Sequence, residues 1–191
     1  MRVISGSAKG RKLIPVPGTG TRPITDRVKE AVFNILRVGL VDATFLDLFA
    51  GTGSVGIEAL SRGAASAVFV DKSRKAIGTV RKNLAVTGLA EEARVVQMDA
   101  FRFLEQVDSS TAYDYIYVAP PQYHELWAKT LLALDQKPLL SEDGMIIVQI
   151  HPKEFHDVAL TRLALLGERR YGSTAIIFYG LASPTGAGRE D

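Results

Sequence analysis

The sequence predicts an α/β protein built on a mostly parallel sheet wound on both faces. Three observations carry that expectation. Thr44 to Gly56, T-F-L-D-L-F-A-G-T-G-S-V-G, reads as a short buried strand, a glycine loop and the start of a helix. From Thr44 to Ile150 short apolar runs alternate with helical patterns, the order that winds a parallel sheet. The last two apolar runs, Leu163–Leu166 and Ala175–Tyr179, are joined through G-E-R-R-Y-G-S with no helix between them. They form a hairpin, so at least one strand at the end of the sheet runs antiparallel.

Taken in order, residues 2–14 read as a small hairpin. Val3-Ile4 and Leu13-Ile14 are its apolar ends, and Gly6 to Gly10 its turn. Pro15 to Gly20 is a linker. Thr25 is placed to cap a helix that runs to about Leu36, with Val28, Val32, Ile35 and Leu36 as its apolar stripe. The strands then fall at Thr44–Ala50, Ala67–Val70, Arg94–Met98, Tyr115–Val118 and Met145–Ile150. The helices between them fall at Ser54–Arg62, Arg74–Thr87, Phe101–Gln106 and Glu125–Leu134. Ser183–Asp191 is polar and glycine-rich, a disordered tail by composition.

Length and composition narrow the function classes. The 191 residues suit one main domain with a short appendage. No apolar stretch approaches the roughly 20 residues that span a bilayer, and no signal-peptide core is present. The chain has no cysteine, which excludes disulfides and thiolate metal sites and fits a cytoplasmic setting. Its three histidines sit in no ligand spacing, so no metal is expected. Charge is uneven. Residues 1–37 hold eight Lys/Arg and two acids, +6, while the remainder holds 15 basic and 19 acidic residues, −4. A basic arm on a mildly acidic body points to a polyanion, and Lys9, Arg11, Lys12, Arg22, Arg27 and Lys29 are the candidate phosphate contacts.

Ligands of a wound sheet gather at the carboxyl ends of its strands. Gly51, Gly53 and Gly56 spell G-x-G-x-x-G after the first strand, a pattern shared with dinucleotide sites. Asp71 ends the second strand, where an acid accepts the ribose hydroxyls of an adenosine, in NAD or in S-adenosylmethionine. Asp47 lies four residues before the first glycine. A carboxylate there repels a pyrophosphate and suits the ammonium of a methionine moiety; its alternative role is a strand-end cap. Asp99, followed by Ala100, ends the third strand. It can accept the amine of adenine, cap the next helix, or do both. After the fourth strand comes Ala119-Pro120-Pro121-Gln122-Tyr123. Two prolines fix that backbone and present their carbonyls rigidly. Tyr123 offers a ring on which an unstacked base can lie, or else simply packs in a stiff loop. His151, at the end of the fifth strand, reads equally as a substrate contact or a structural residue.

These residues together, D-L-F-A-G-T-G-S-V-G with Asp71, Asp99 and the double proline, resemble class I S-adenosylmethionine-dependent methyltransferases. The amino-terminal R-V-I-S-G-S-A-K-G-R-K-L and R-P-I-T-D-R-V-K-E-A-V-F-N narrow the resemblance to the RsmD family, bacterial enzymes that methylate N2 of one guanine in 16S ribosomal RNA. The likeness runs to about Gly180. It implies a Rossmann-like, seven-stranded sheet whose last strand is antiparallel. It implies a basic RNA-contacting arm over residues 1–40, an S-adenosylmethionine-binding domain over 41–181 and a tail over 182–191. Asp47, Phe49, Gly51, Thr52 and Gly53 would surround the methionine end of the cofactor. Asp71 and Lys72 would lie at the ribose, and Asp99 and Ala100 near adenine. Ala119, Pro120, Pro121 and Tyr123 would face the transferable methyl. The implied product is S-adenosylhomocysteine, the implied partner 16S ribosomal RNA or a small-subunit assembly particle, and the implied state a monomer without membrane contact.

One departure stands out. Amino-methylating members carry Asp or Asn before Pro-Pro and an aromatic residue directly after. Here Ala119 and Gln122 occupy those positions, with Tyr123 one residue late. The expectation is a working enzyme with a reduced acceptor set. Two other readings stay open: an RNA-binding relative that lost its chemistry at Ala119, and a dinucleotide-dependent oxidoreductase.

Overall fold

A computed structural model describes residues 1–18 and 24–182 of the chain. Arg22 and the tail Ser183–Asp191 lie outside the described residues. The amino-terminal segment folds back on itself through an antiparallel bridge between Arg2 and Lys12. The Val3 amide donates to Arg11 O, and the Gly10 amide to Val3 O. Helix α1 (Asp26–Leu36) follows. The Val28 amide donates to Thr25 Oγ1 at 3.3 Å, the cap expected of that threonine.

The body then alternates as predicted: β1 (Thr44–Asp47), α2 (Ser54–Ser61), β2 (Ser66–Asp71), α3 (Arg74–Thr87), β3 (Ala93–Gln97), α4 (Ala100–Gln106), β4 (Tyr113–Val118), α5 (Leu126–Asp135) and β5 (Leu140–Ile150). A closing hairpin, β6 (Leu163–Tyr171) and β7 (Thr174–Leu181), completes it. The seven strands form one sheet in the order β3-β2-β1-β4-β5-β7-β6. The first five pair in parallel. Strand β7 inserts antiparallel between β5 and β6. The order reverses between β1 and β4, the switch point at which a crevice opens above the sheet.

Alternate side chains leave the strands on opposite faces, and each face carries its own core. Phe45, Phe69, Tyr115 and Ile147 pack with residues of α1, α2 and α3. Leu46, Val70, Ile116 and Val148 pack with residues of α4 and α5. The winding on both faces is therefore carried by strands whose two faces are both apolar. The stripe expected on α1 is rotated by part of a turn. Ile35 is exposed, and Phe33 is buried instead, stacked on Phe45 with ring centroids 6.4 Å apart.

Among the strand limits that differ from the sequence reading, those of β1 and β5 have identifiable causes. Strand β1 ends at Asp47, three residues early, because the chain lifts toward the glycine loop. Its amides at Leu48 and Ala50 still donate to Tyr117 O and Val70 O. Strand β5 starts five residues early, at Leu140, paired with Tyr113 across a bulge. The polar Ser141-Glu142-Asp143 concealed that start. Ser141 Oγ donates to Asp114 Oδ1, and Asp114 Oδ2 accepts from the Thr44 amide, so one carboxylate fastens three strands.

The amino-terminal hairpin is built into the body. Val3, Ala8 and Leu13 are buried in the core shared with α2. Gly6, at φ +84, lies against the end of α2, where an added Cβ would stand 1.6 Å from Ser61 O. Glu58 of α2 accepts from the Ile4 amide at 2.8 Å and the Ser5 amide at 3.0 Å. Lys29 Nζ lies 3.1 Å from the same carboxylate, and both side chains are fully buried.

Candidate active site

A cavity of about 910 Å³ opens at the carboxyl ends of β1 to β5, within the size range of small-molecule sites. It is lined by Asp47, Phe49, Gly51 and Thr52 after β1, by Asp71 and Lys72 after β2, and by Asp99 and Ala100 after β3. Ala119, Pro120, Pro121 and Tyr123 after β4 complete the set. The topology thus brings together all but one of the residues proposed from sequence for cofactor and catalysis. Gly53 is not part of the lining. It is the left-handed N-cap of α2, at φ +76. Gly56 serves packing, since a Cβ there would come within 2.4 Å of the Phe69 ring.

Three carboxylates border the cavity in different states. Asp47 is 2% exposed, and Oδ2 accepts from the Gly56 amide at 3.2 Å. Burial pushes its carboxyl up to about 7; the Gly56 amide opposes that shift and the Asp71 charge adds to it. No cationic side chain pairs with Asp47 among the described residues. Asp71 is tied to the loops on either side. Its Oδ2 accepts from the Gly51 amide at 2.9 Å and its Oδ1 from the Ser73 amide at 2.8 Å. Each oxygen keeps a second lone pair for a ligand hydroxyl. Asp99 caps α4 through Oδ1, which accepts from the Phe101 and Arg102 amides, and Oδ2 has no partner among the described residues.

The wall after β4 is strained and clamped. Tyr123 and Glu125 adopt φ of 64° and 54°, where side chains other than glycine are disfavoured. The Tyr123 amide donates to Glu154 Oε2 at 2.7 Å, and the His151 amide to Glu154 Oε1 at 3.2 Å. Tyr123 is 65% exposed, and its ring centroid lies 5.9 Å from that of His151. His151 lines the cavity and also caps the 3-10 turn Pro152–Glu154 through Nδ1, the structural one of its two sequence readings.

Some cavity residues escaped the sequence reading. Tyr117 and Gln149 line it from within β4 and β5, with the Tyr117 hydroxyl donating to Gln149 Oε1. Each was concealed in an apolar strand. Ile24 and Thr25 border the cavity just ahead of α1, and Tyr171 and Ser173 border it from the closing hairpin. Asn83, buried in α3, steadies the rim. Its Nδ2 donates to Thr52 O at 2.9 Å and to Ile14 O at 3.1 Å.

The candidate phosphate contacts divide. Lys9, Arg11, Lys12 and Arg27 are exposed. Lys29 is not: its ammonium is fully buried on Glu58 and donates to Arg2 O at 2.7 Å, which corrects its assignment to nucleic acid. Its place on the inward face of α1 decides this. Among the described residues no group of three His, Cys, Asp or Glu could hold a metal ion, and no helix is long and apolar enough to cross a membrane.

Comparison with known proteins places this geometry. Residues 1–180 match the family model described as conserved hypothetical protein 95. Ribosomal RNA small subunit methyltransferase D of Escherichia coli strain K12 is 43% identical over 150 residues, covering 78% of this chain and 74% of that protein. The chain belongs to the RsmD family. Within it, YlbH of Bacillus subtilis is 43% identical over 187 residues, covering 94% of this chain and 98% of its own. The solved structure of yhhF from Escherichia coli superposes with a TM-score of 0.83 at 36% identity, covering 95% of this chain and 97% of that one. The fold is the Rossmann-like fold of its methyltransferase neighbours.

Proposed function

We propose that this RsmD-family protein is an S-adenosylmethionine-dependent ribosomal RNA methyltransferase acting on the exocyclic N2 of a guanine in 16S ribosomal RNA. One observation carries the reading: Asp47, a buried carboxylate without a cationic partner among the described residues, lines a large cavity together with Pro120 and Pro121. Such a carboxylate favours a ligand that brings positive charge with it and disfavours the pyrophosphate of a dinucleotide. The names of the relatives support ribosomal RNA as the substrate class.

When bound, S-adenosylmethionine supplies a methyl group carried on a positively charged sulfur. Asp47 would take the ammonium of its methionine end. Asp71 has free lone pairs for the ribose hydroxyls, and Asp99 Oδ2 for the amine of adenine. Pro120 and Pro121 hold the carbonyls of the wall in fixed directions, a positioning contribution rather than acid–base help. The Tyr123 ring, held out by the Glu154 clamp, suits stacking of a base flipped from its helix. Lys9, Arg11, Lys12 and Arg27 supply exposed positive charge for the phosphate backbone.

Ala119 favours a second reading, RNA binding without turnover, because it removes the side-chain acceptor at the wall. Transfer of labelled methyl groups to undermethylated small ribosomal subunits separates the two. Incorporation at a guanine N2 is the expected result; binding of RNA with no incorporation at saturating donor selects the second reading. Calorimetry is expected to show S-adenosylmethionine binding and no NADH binding.

A further inference from the structure

We infer that Gln149 is a catalytic residue, supplying from β5 the side-chain acceptor for the target amine that Ala119 does not supply from β4. The inference rests on the methyltransferase reading above. An attacking exocyclic amine sheds a proton and gains positive charge as the carbon–nitrogen bond forms, so a fixed acceptor beside it lowers the barrier. In the wall after β4, the methyl group of Ala119 and the rings of Pro120 and Pro121 accept nothing; the first side-chain acceptor there is Gln122, three residues further along the chain than Ala119.

The sheet places a polar group at that gap. Strands β4 and β5 are parallel, with Val118 beside Val148, and one step further along sets Ala119 beside Gln149. Residues 117 and 119 leave the strand on the same face. Tyr117, Ala119 and Gln149 all line the cavity. The Tyr117 hydroxyl donates to Gln149 Oε1, which fixes the amide. Tyr117 is 2% exposed, and burial holds its phenol protonated as the donor. Gln149 Oε1 keeps a second lone pair for an N–H of the amine, and Nε2 has no partner among the described residues. Tyr117 acts through Gln149 and is a positioning residue. In the transfer the nitrogen–carbon bond forms, the sulfur–carbon bond breaks, and the amine proton passes to water.

The test is steady-state methyl transfer to undermethylated small ribosomal subunits, with donor affinity measured separately by calorimetry. Gln149→Leu is expected to lower kcat roughly 10²-fold while donor affinity holds. Ala119→Asp introduced into Gln149→Leu is expected to restore most of the loss, since it returns an acceptor to the neighbouring strand. Gln149→Glu keeps the shape and is expected to give a kcat that rises with pH as the new carboxyl ionises. The wild-type profile is the baseline, because Asp47 and His151 border the same cavity. A folded, donor-binding Gln149→Leu protein with wild-type kcat overturns the inference. So does a loss that Ala119→Asp leaves unrepaired, which assigns Gln149 to packing, and so does a Gln149→Glu profile that matches the wild-type one. Absence of transfer by the wild-type protein removes the parent reading, and this one with it, and is distinguished by being seen before any substitution.

Discussion

Asp47 joins the sequence motif to a measurable pH dependence. Its carboxyl ionises near 3.8 when exposed and at about 7 in the fold. Between those pH values the folded protein holds a proton that the unfolded chain has lost, so this residue's contribution to stability falls as pH rises from about 4 through 7. Asp47→Asn is expected to remove that fall and to raise stability at pH 8 by a few kcal/mol, up to ~4, read by urea unfolding at several pH values. Donor binding carries the opposite sign. The ligand's cation favours the ionised form, so affinity is expected to increase as pH rises toward 7 and then level off, while Asp47→Asn binds weakly at every pH. Calorimetry across pH 5.5 to 8.5 (about three pH units around the shifted value) checks both limbs. Glu58 offers a second test at this scale. It accepts from two amides and pairs with Lys29 and Arg62. Glu58→Ala leaves the Lys29 ammonium buried without a counter-charge, with only Arg2 O still accepting from it, and is expected to cost about 3–5 kcal/mol. A loss under about 1 kcal/mol in chemical unfolding would show that water reaches Lys29.

At the scale of elements, the loop from Ala119 to Glu125 matters most. Tyr123 and Glu125 both stand at positive φ there, and Glu154 accepts from the Tyr123 amide. Glu154→Ala removes a charged acceptor from two amides, and such bonds contribute about 1.5–3 kcal/mol each. Hydrogen exchange at the Tyr123 and His151 amides is expected to speed up by roughly 10- to 100-fold, with the amides of β1 and β4 unchanged. If the Tyr123 amide exchanges as before, the loop is held by its own prolines. The approach of α2 to β2 is a separate element-scale constraint. Gly56→Ala drives a methyl into the Phe69 ring and is expected to lower stability by about 1–3 kcal/mol through overpacking, measured as a shift in unfolding midpoint.

Across the whole molecule, the amino-terminal charge sits on a segment anchored to the body. The +6 of residues 1–37 overstates what a polyanion meets, because Lys29 is neutralised by Glu58, which lies outside that segment. Lys9, Arg11, Lys12 and Arg27 remain exposed. Each one replaced by Ala is expected to weaken RNA binding across sequences and to reduce the salt dependence of log Kd by about one unit. Lys29→Ala is expected to lower stability and leave that slope alone. Titrations at three salt concentrations distinguish the two behaviours.

Periodicity and glycine placement determined the sheet, its two wound faces and its antiparallel ending, because an apolar run bounded by glycine has few places to go other than a buried strand. The residues after those strands were legible for the same reason: a parallel sheet delivers all of its carboxyl ends to one edge. The clearest departures came where lateral neighbours or helix phase decide. Whether Lys29 reaches solvent or Glu58 depends on the rotation of α1 against α2. Gln149 and Tyr117 look like isolated polar residues in apolar strands until β4 and β5 are laid in register. The Tyr123 amide donates to a glutamate 31 residues away. Such pairings join residues far apart along the chain, and local pattern carries no information about which carboxylate or amide the fold will bring across.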